Sequence, residues 1–221
     1  MTNNILLFIS IFIIFSVVLI IKRFLGKSGL IGYIGIATIL ANIMITKSVD
    51  LLGMGATLGN VLFASNFLVT DILTENYGYK EAKKGVKFGI ISVLFFLLIT
   101  QLALLYIPNA NDIANESFKT LFSLAPKITL ASVVLFILSN IVDIKLYEFL
   151  RKKTNGKKMW LRNNICTILS NCTENFLFYF IAFYGVLPTE ALLASAISAT
   201  IIEVIIALLD TPFLYLSKKI K

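Results

Sequence analysis

Residues 51–87 read LLGMGATLGNVLFASNFLVTDILTENYGYKEAKKGVK. The apolar run from Leu51 to Leu73 is long enough, at ~20 residues, to cross a hydrocarbon layer as a helix. Near its end stand Asp71 and Glu75, four residues apart and so on one helix face. Tyr77 and Gly78 stop the helix, and Lys80, Lys83, Lys84 and Lys87 follow. An apolar span that ends in acids and then a lysine cluster is how a membrane helix meets the cytoplasm.

Composition extends that reading to the whole chain. Of 221 residues, 58% are hydrophobic and only 14% charged, with a mean hydropathy of +0.89. A soluble domain carries roughly 25% charged residues. So few polar groups cannot cover a globule in water, and the expected fold is an all-α, polytopic membrane helix bundle forming a single domain over residues 1–221. The net charge of +8 comes from basic residues in short connections between apolar runs. That distribution sets membrane orientation and does not call for a nucleic-acid partner. Cys166 and Cys172 are six apart on different faces of one run, so neither a disulfide nor a metal cluster is expected. With no histidine, any proton step must use carboxylates or lysine.

Seven apolar segments follow one another: Ile5–Ile21, Leu30–Ile45, Leu51–Leu73, Val86–Ile107, Thr129–Tyr147, Ile165–Leu187 and Ala191–Leu216. Lys22, Arg23 and Lys27 follow the first, the lysine cluster the third, six basic residues from Arg151 to Arg162 the fifth, and Lys218, Lys219 and Lys221 the last. The intervening connections are neutral or acidic. The alternation places the N-terminus outside and the C-terminus in the cytoplasm. The leader Met1-Thr2-Asn3-Asn4 lacks positive charge, which fits an uncleaved first helix better than a signal peptide. Gly55 and Gly59 form a small-residue pair suited to close helix packing. No phosphate-binding Gly-Lys-Ser/Thr loop is present, so the chain does not hydrolyse ATP itself.

The polar residues inside these segments carry the functional information, because a charge at the bilayer centre costs about 2.5–3.5 kcal/mol on insertion scales. Segment two presents Thr38 and Asn42, with Lys47 near its outer end; segment three presents Asn60, Asp71 and Glu75; segment five presents Asn140 and Asp143. On segment six Asn163, Thr167, Asn171, Glu174 and Phe178 form one stripe at helical spacing. Glu203 and Asp210 share a face of segment seven. Asp71, Glu75 and Asp143 stand near cytoplasmic ends, where headgroups or Lys80 and Lys83 are within reach. Glu174 is mid-segment and cannot snorkel to water. Inward amides and carboxylates suit a flat, hydrogen-bonding solute, and Phe178 offers a ring face. A lipid enzyme would be expected to show histidines or a dense acidic metal motif, and a mere scaffold would not bury several acids.

At these residues the chain resembles the queuosine precursor transporter family. The resemblance rests on Ala41-Asn42 with Lys47, on the stretch Asp71-Ile72-Leu73-Thr74-Glu75-Asn76-Tyr77-Gly78, and on Asp143 through Trp160-Leu161-Arg162-Asn163-Asn164 to Asn171 and Glu174. It departs from the family's pattern at Asn171 and Glu174, where the family commonly has Gln and Asp; both exchanges keep the chemistry and change its reach. The resemblance implies uptake of a 7-deazaguanine (preQ1, preQ0 or queuine) across a bacterial cell membrane, without a cofactor or ATPase module, by a homodimer. It also implies likeness to the six-helix substrate-binding subunits of energy-coupling-factor transporters, with segment one as an addition. Such a subunit, recruiting a separate ATPase, or a transporter of another small heterocycle, is the alternative reading. The expected substrate contacts are Asn42, Asp71, Glu75, Asn140, Asp143, Asn171, Glu174 and Phe178, with Glu174 on the guanine-like edge. Lys47, Thr74 and Arg162 are the expected gating or structural residues, and Thr74 with Glu75 the expected inner gate.

Overall fold

The computed structural model describes residues 2–123, 125–185 and 188–220. Met1, Leu187 and Lys221, named above, lie outside the described residues. In chain order the elements are α1 (Thr2–Met44), β1 (Ser48–Leu51), β2 (Met54–Thr57), α2 (Gly59–Tyr77), α3 (Tyr79–Leu104), α4 (Asn115–Phe122), α5 (Ala125–Lys153), α6 (Met159–Phe183) and α7 (Thr189–Lys219). The chain is thus an all-α bundle with one small hairpin. Helices satisfy their own backbone groups, which is what lipid demands.

α1 is two arms and not one rod. A straight helix of 43 residues would be about 65 Å long at ~1.5 Å per residue. Yet Asn3 donates to the Asp50 carbonyl at 3.2 Å, and the Leu52 N–H donates to Asn4 Oδ1 at 2.8 Å. Gly26, at φ 58° and ψ −144°, breaks the helix between the arms, a conformation that glycine adopts without a Cβ penalty. Leu7, Ile11, Phe15 and Val18 of the first arm then share one core with Leu30, Ile34 and Ala37 of the second. The arms overlap the first two apolar segments, and α2, α3, α5, α6 and α7 overlap the other five in turn.

Among the described residues, five helices are long and apolar enough to cross a membrane: α1, α3, α5, α6 and α7. α2 is the exception because it is the central helix. It packs against α1, α3, α5 and α7, and from Ala64 to Glu75 every residue is buried. Shielded from lipid by its neighbours, it tolerates Asn60, Asn66, Asp71 and Glu75. The outer helices show the reverse pattern, with Ile5, Phe12, Ile91, Phe95, Leu98 and Leu169 on the outside, where lipid is the solvent.

Two features depart from the apolar-segment reading. Helix α2 begins at Gly59, not Leu51, because Ser48–Leu51 and Met54–Thr57 pair as an antiparallel hairpin turning at Leu52 and Gly53. Gly55 therefore lies on a strand and forms no helix-packing pair with Gly59. Gly59 makes its own close approach: a Cβ there would stand 2.8 Å from the Ala41 carbonyl oxygen. The connection after α3 carries the short helix α4, whose Phe118 and Phe122 rings lie 4.5 Å apart.

The basic connections gather at one end of the bundle. Lys22 donates to Ile220 O at 2.9 Å, to Asn76 Oδ1 at 3.3 Å and to Ser217 O, which ties the first arm of α1 to the ends of α2 and α7. Lys27 and Lys84 both pair with Glu81, at 3.8 and 2.7 Å. The hairpin and Asn3 and Asn4 occupy the opposite end.

Candidate functional site

The polar residues of the interior fall into three groups, stacked between the hairpin end and the basic end. The first lines a cavity below the hairpin, with about 530 Å³ of atom-free space, part of it open to the outside. α1 contributes Asn42 and the turn after it Ile45, the hairpin and α2 contribute Thr57, Asn60 and Phe63, α6 contributes Glu174, Asn175, Phe178 and Tyr179, and α7 contributes Glu203. The α6 residues arrive together because positions 174, 175, 178 and 179 repeat at helical spacing.

The hydrogen bonds inside this cavity leave a defined set of atoms over. Asn42 Nδ2 donates to the Thr38 carbonyl at 2.9 Å, so its Oδ1 is the atom left. The Thr57 hydroxyl donates to Asn60 Oδ1 at 2.7 Å, so Asn60 Nδ2 is left. Asn175 Nδ2 donates to Glu203 Oε2 at 2.7 Å, which holds that carboxylate against α6. Glu174 Oε2 has no partner among the described residues. Burying such groups unpaired costs about 1–3 kcal/mol each. Among the described residues, the buried atoms left unpartnered on the cavity are thus one amide donor, Asn60 Nδ2, and two acceptors, Asn42 Oδ1 and Glu174 Oε2. Phe178 meets Tyr179 edge-on, with ring centroids 5.6 Å apart, and Phe63 adds a third aromatic wall. The arrangement can hold a planar ring that both donates and accepts hydrogen bonds.

The second group lies deeper. Asp71, Asp143 and Asp210 come from α2, α5 and α7, and all are fully buried. Asn163 Nδ2 donates to Asp210 Oδ1 at 2.7 Å, and the Ser170 hydroxyl reaches Asp143 Oδ1 at 3.4 Å. Asn140 donates to the Phe136 carbonyl at 2.8 Å. Asn171, one turn before Glu174, is buried with neither amide atom partnered among the described residues. None of these residues lines the cavity below the hairpin.

The third group closes the basic end. Glu75 Oε1 accepts from Arg162 Nε at 2.9 Å and from its terminal nitrogen Nη2 as well. Glu75 Oε2 lies 2.7 Å from Lys218 Nζ, and Arg151 Nε stands 3.8 Å from Oε1. Arg162 also donates to the Lys157 carbonyl at 2.7 Å and lies over the Tyr147 ring, 5.4 Å from its centroid. Arg151 donates to the Thr74 carbonyl at 3.1 Å. Glu75 thus ties together the ends of α2, α5, α6 and α7. Its partners are these three cations and not Lys80 or Lys83.

The structure accordingly separates the residues singled out in the sequence. It places Asn42, Glu174 and Phe178 on the cavity, Asp71, Asn140 and Asp143 in the deep group, and Thr74, Glu75 and Arg162 at the basic end. Lys47 stands exposed beside the hairpin, and its carbonyl accepts from the Leu58 N–H at 3.1 Å. Asn60, Asn175, Tyr179 and Glu203 are cavity residues absent from the expected contacts. Asn60 and Glu203 were visible as intramembrane polar groups, and Asn175 and Tyr179 adjoin Glu174 and Phe178 in the chain. Among the described residues, no three His, Cys, Asp or Glu side chains converge as a divalent-metal site requires.

Comparison with known proteins agrees with a transporter. The chain is 36% identical over 206 residues to a "Probable queuosine precursor transporter" of Bacillus subtilis (strain 168), covering 93% of this chain and 90% of that protein. It is 25% identical over 144 residues to a "Queuosine precursor transporter" of Escherichia coli (strain K12), covering 65% of this chain and 62% of that one. No solved structure matches the chain significantly. The family described as "Putative vitamin uptake transporter" matches residues 57–217, from the cavity's Thr57 to the end of α7, and with the Bacillus relative this shows that the chain belongs to that family.

Proposed function

We propose that the chain imports queuosine precursors, 7-deazaguanine bases such as preQ1, preQ0 or queuine, without an ATPase of its own. The observation that carries this reading is the set of atoms left over in the cavity. The N1–H and exocyclic amine of a deazaguanine are adjacent donors, suited to the Glu174 carboxylate. Its ring carbonyl is an acceptor, suited to Asn60 Nδ2, and Asn42 Oδ1 takes a further N–H. Phe63, Phe178 and Tyr179 enclose the flat ring. Glu203, held by Asn175, is a second carboxylate on the cavity, suited to balance the aminomethyl cation of preQ1.

The two arms of α1 and helices α2, α3, α5, α6 and α7 serve as seven spans, with the N-terminus outside and the C-terminus cytoplasmic. The cavity then opens outward, and the Glu75 clasp with Thr74 and Arg162 is the inner gate. The first arm is an addition to a six-helix core like that of energy-coupling-factor substrate-binding subunits. The working assembly is a homodimer in a bacterial cell membrane. Labelled preQ1, preQ0 and queuine, offered to a strain that neither makes queuosine nor imports its precursors, test the reading. Uptake restored by the wild-type chain and lost with Glu174→Ala is the expected result. No uptake of any of the three, or undiminished uptake by Glu174→Ala, removes the assignment.

A further inference from the structure

The cavity below the hairpin is lined by two carboxylates and, among the described residues, by no cation. Glu174 of α6 and Glu203 of α7 are 6% and 4% exposed. Asn175 follows Glu174 in the chain and donates to Glu203 Oε2 at 2.7 Å, so Glu203 is held against the stretch of α6 that carries Glu174. The buried cations among the described residues are Lys22 and Arg162, and both are committed at the basic end. Lys22 donates to the Ser217 and Ile220 carbonyls, and Arg162 to Glu75. Lys47 stands beside the hairpin, exposed and outside the cavity lining. Among the described residues, no lysine or arginine forms an ion pair with Glu174 or Glu203.

The amide donors on the cavity do not make up this charge. Asn60 Nδ2 is left over and Asn175 Nδ2 serves Glu203, but an amide is neutral. A buried carboxylate without a counter-charge is strongly disfavoured. On the deazaguanine reading, Glu174 accepts the two N–H donors of a neutral ring edge. The charge of the second acid is then left for the substrate itself to balance.

Two of the candidate bases differ only in the group at the 7-position of the ring. In preQ1 it is a protonated aminomethyl group, which brings a full positive charge and three N–H donors. In preQ0 it is a nitrile, whose nitrogen accepts and never donates. Beside a carboxylate the first makes a charge-assisted hydrogen bond, whereas the second sets acceptor against acceptor. Specificity is such a difference, part attraction and part repulsion.

We infer that Glu203 is a specificity-determining residue: it takes the protonated aminomethyl group of preQ1 and turns the cavity against the nitrile of preQ0. The inference rests on the deazaguanine reading and narrows it to the amine-bearing base. Glu174 and Asn60 meet the part of the ring that both bases share, and Glu203 meets the part that separates them.

The test reads a ratio, which does not depend on how much protein reaches the membrane. Uptake of labelled preQ1 by a strain that neither makes queuosine nor imports its precursors is competed with unlabelled preQ0, and uptake of labelled preQ0 with unlabelled preQ1. The wild-type chain should take preQ1 with an affinity at least tenfold higher than preQ0, the equivalent of ~1.4 kcal/mol. Glu203→Gln keeps the size of the side chain and an oxygen for Asn175 while removing the charge, and the ratio should fall to near one. Asn60→Ala acts on the shared ring carbonyl, so it should weaken both bases together and leave the ratio as in the wild type. Competition of wild-type uptake by 7-methyl-7-deazaguanine asks the same question without a substitution, since its methyl group carries neither charge nor donor. It should bind at least tenfold more weakly than preQ1. A wild-type chain that takes preQ0 or the methyl base as tightly as preQ1, or a Glu203→Gln variant that keeps the wild-type ratio, overturns the inference and leaves the deazaguanine reading standing. Uptake of neither preQ1 nor preQ0 overturns both.

Discussion

Arg162→Met gives the most direct measure of how the basic end is held. In the wild type the Glu75 and Arg162 side chains are each only 1% exposed, and one carboxylate oxygen takes both guanidinium contacts. Removing one partner of such a pair costs about 3–5 kcal/mol, because the other charge stays buried. Here the loss is partly offset. Lys218, with a side chain 43% exposed, still holds the second oxygen at 2.7 Å. A half-exposed pair contributes at most about 1 kcal/mol. The expected cost is therefore about 2–4 kcal/mol, or roughly 30- to 900-fold in the folding constant. Unfolding of the purified protein by SDS in mixed micelles, followed by the fluorescence of the single tryptophan, Trp160, measures it. In the double variant Glu75→Gln/Arg162→Met no charge is stranded, so its cost falls short of the summed single costs by about 2 kcal/mol. Strictly additive costs, or a single-variant cost below about 1 kcal/mol, would refute the clasp.

Asn60→Ala removes the one amide donor left over in the cavity, and it should raise the KM for preQ1 uptake about tenfold, the equivalent of ~1.4 kcal/mol, while protein level in the membrane stays normal. An unchanged KM would place the ring carbonyl elsewhere. Gly59→Ala sets a methyl against the Ala41 carbonyl oxygen, 2.8 Å away, and should cost about 1–3 kcal/mol by overpacking; a neutral effect in the same SDS titration would show that the second arm of α1 can shift outward. Cys166 is buried and Cys172 only partly so, and both are free thiols. A maleimide should therefore modify Cys172 well before Cys166 in the folded protein, and faster labelling of Cys166 would mean that α6 is rotated from the orientation described.

Much of the architecture was legible in the chain itself. Hydropathy over ~20 residues and the charge of the connections are local signals, and they located the arms of α1, the helices α2, α3, α5, α6 and α7, and the shared end of the basic loops. The stripe of Asn163, Thr167, Asn171, Glu174 and Phe178 was also local, because one helix carries it. The hairpin was hidden inside an apolar run: Leu51, Met54 and Ala56 are as hydrophobic on strands as on a helix. Pairings between helices were beyond local reading. Nothing near residue 75 in the chain announces Arg162 or Lys218, which lie 87 and 143 positions away. Composition and periodicity determined by themselves that this is a membrane bundle with a polar interior. Only the packing of α2 among α1, α3, α5 and α7 decided how that interior divides into an amide-and-aromatic cavity, an oxygen-rich acid group and an ion-paired clasp. A helix face is set by its own residues, whereas the charge or void it meets is set by helices far away in sequence.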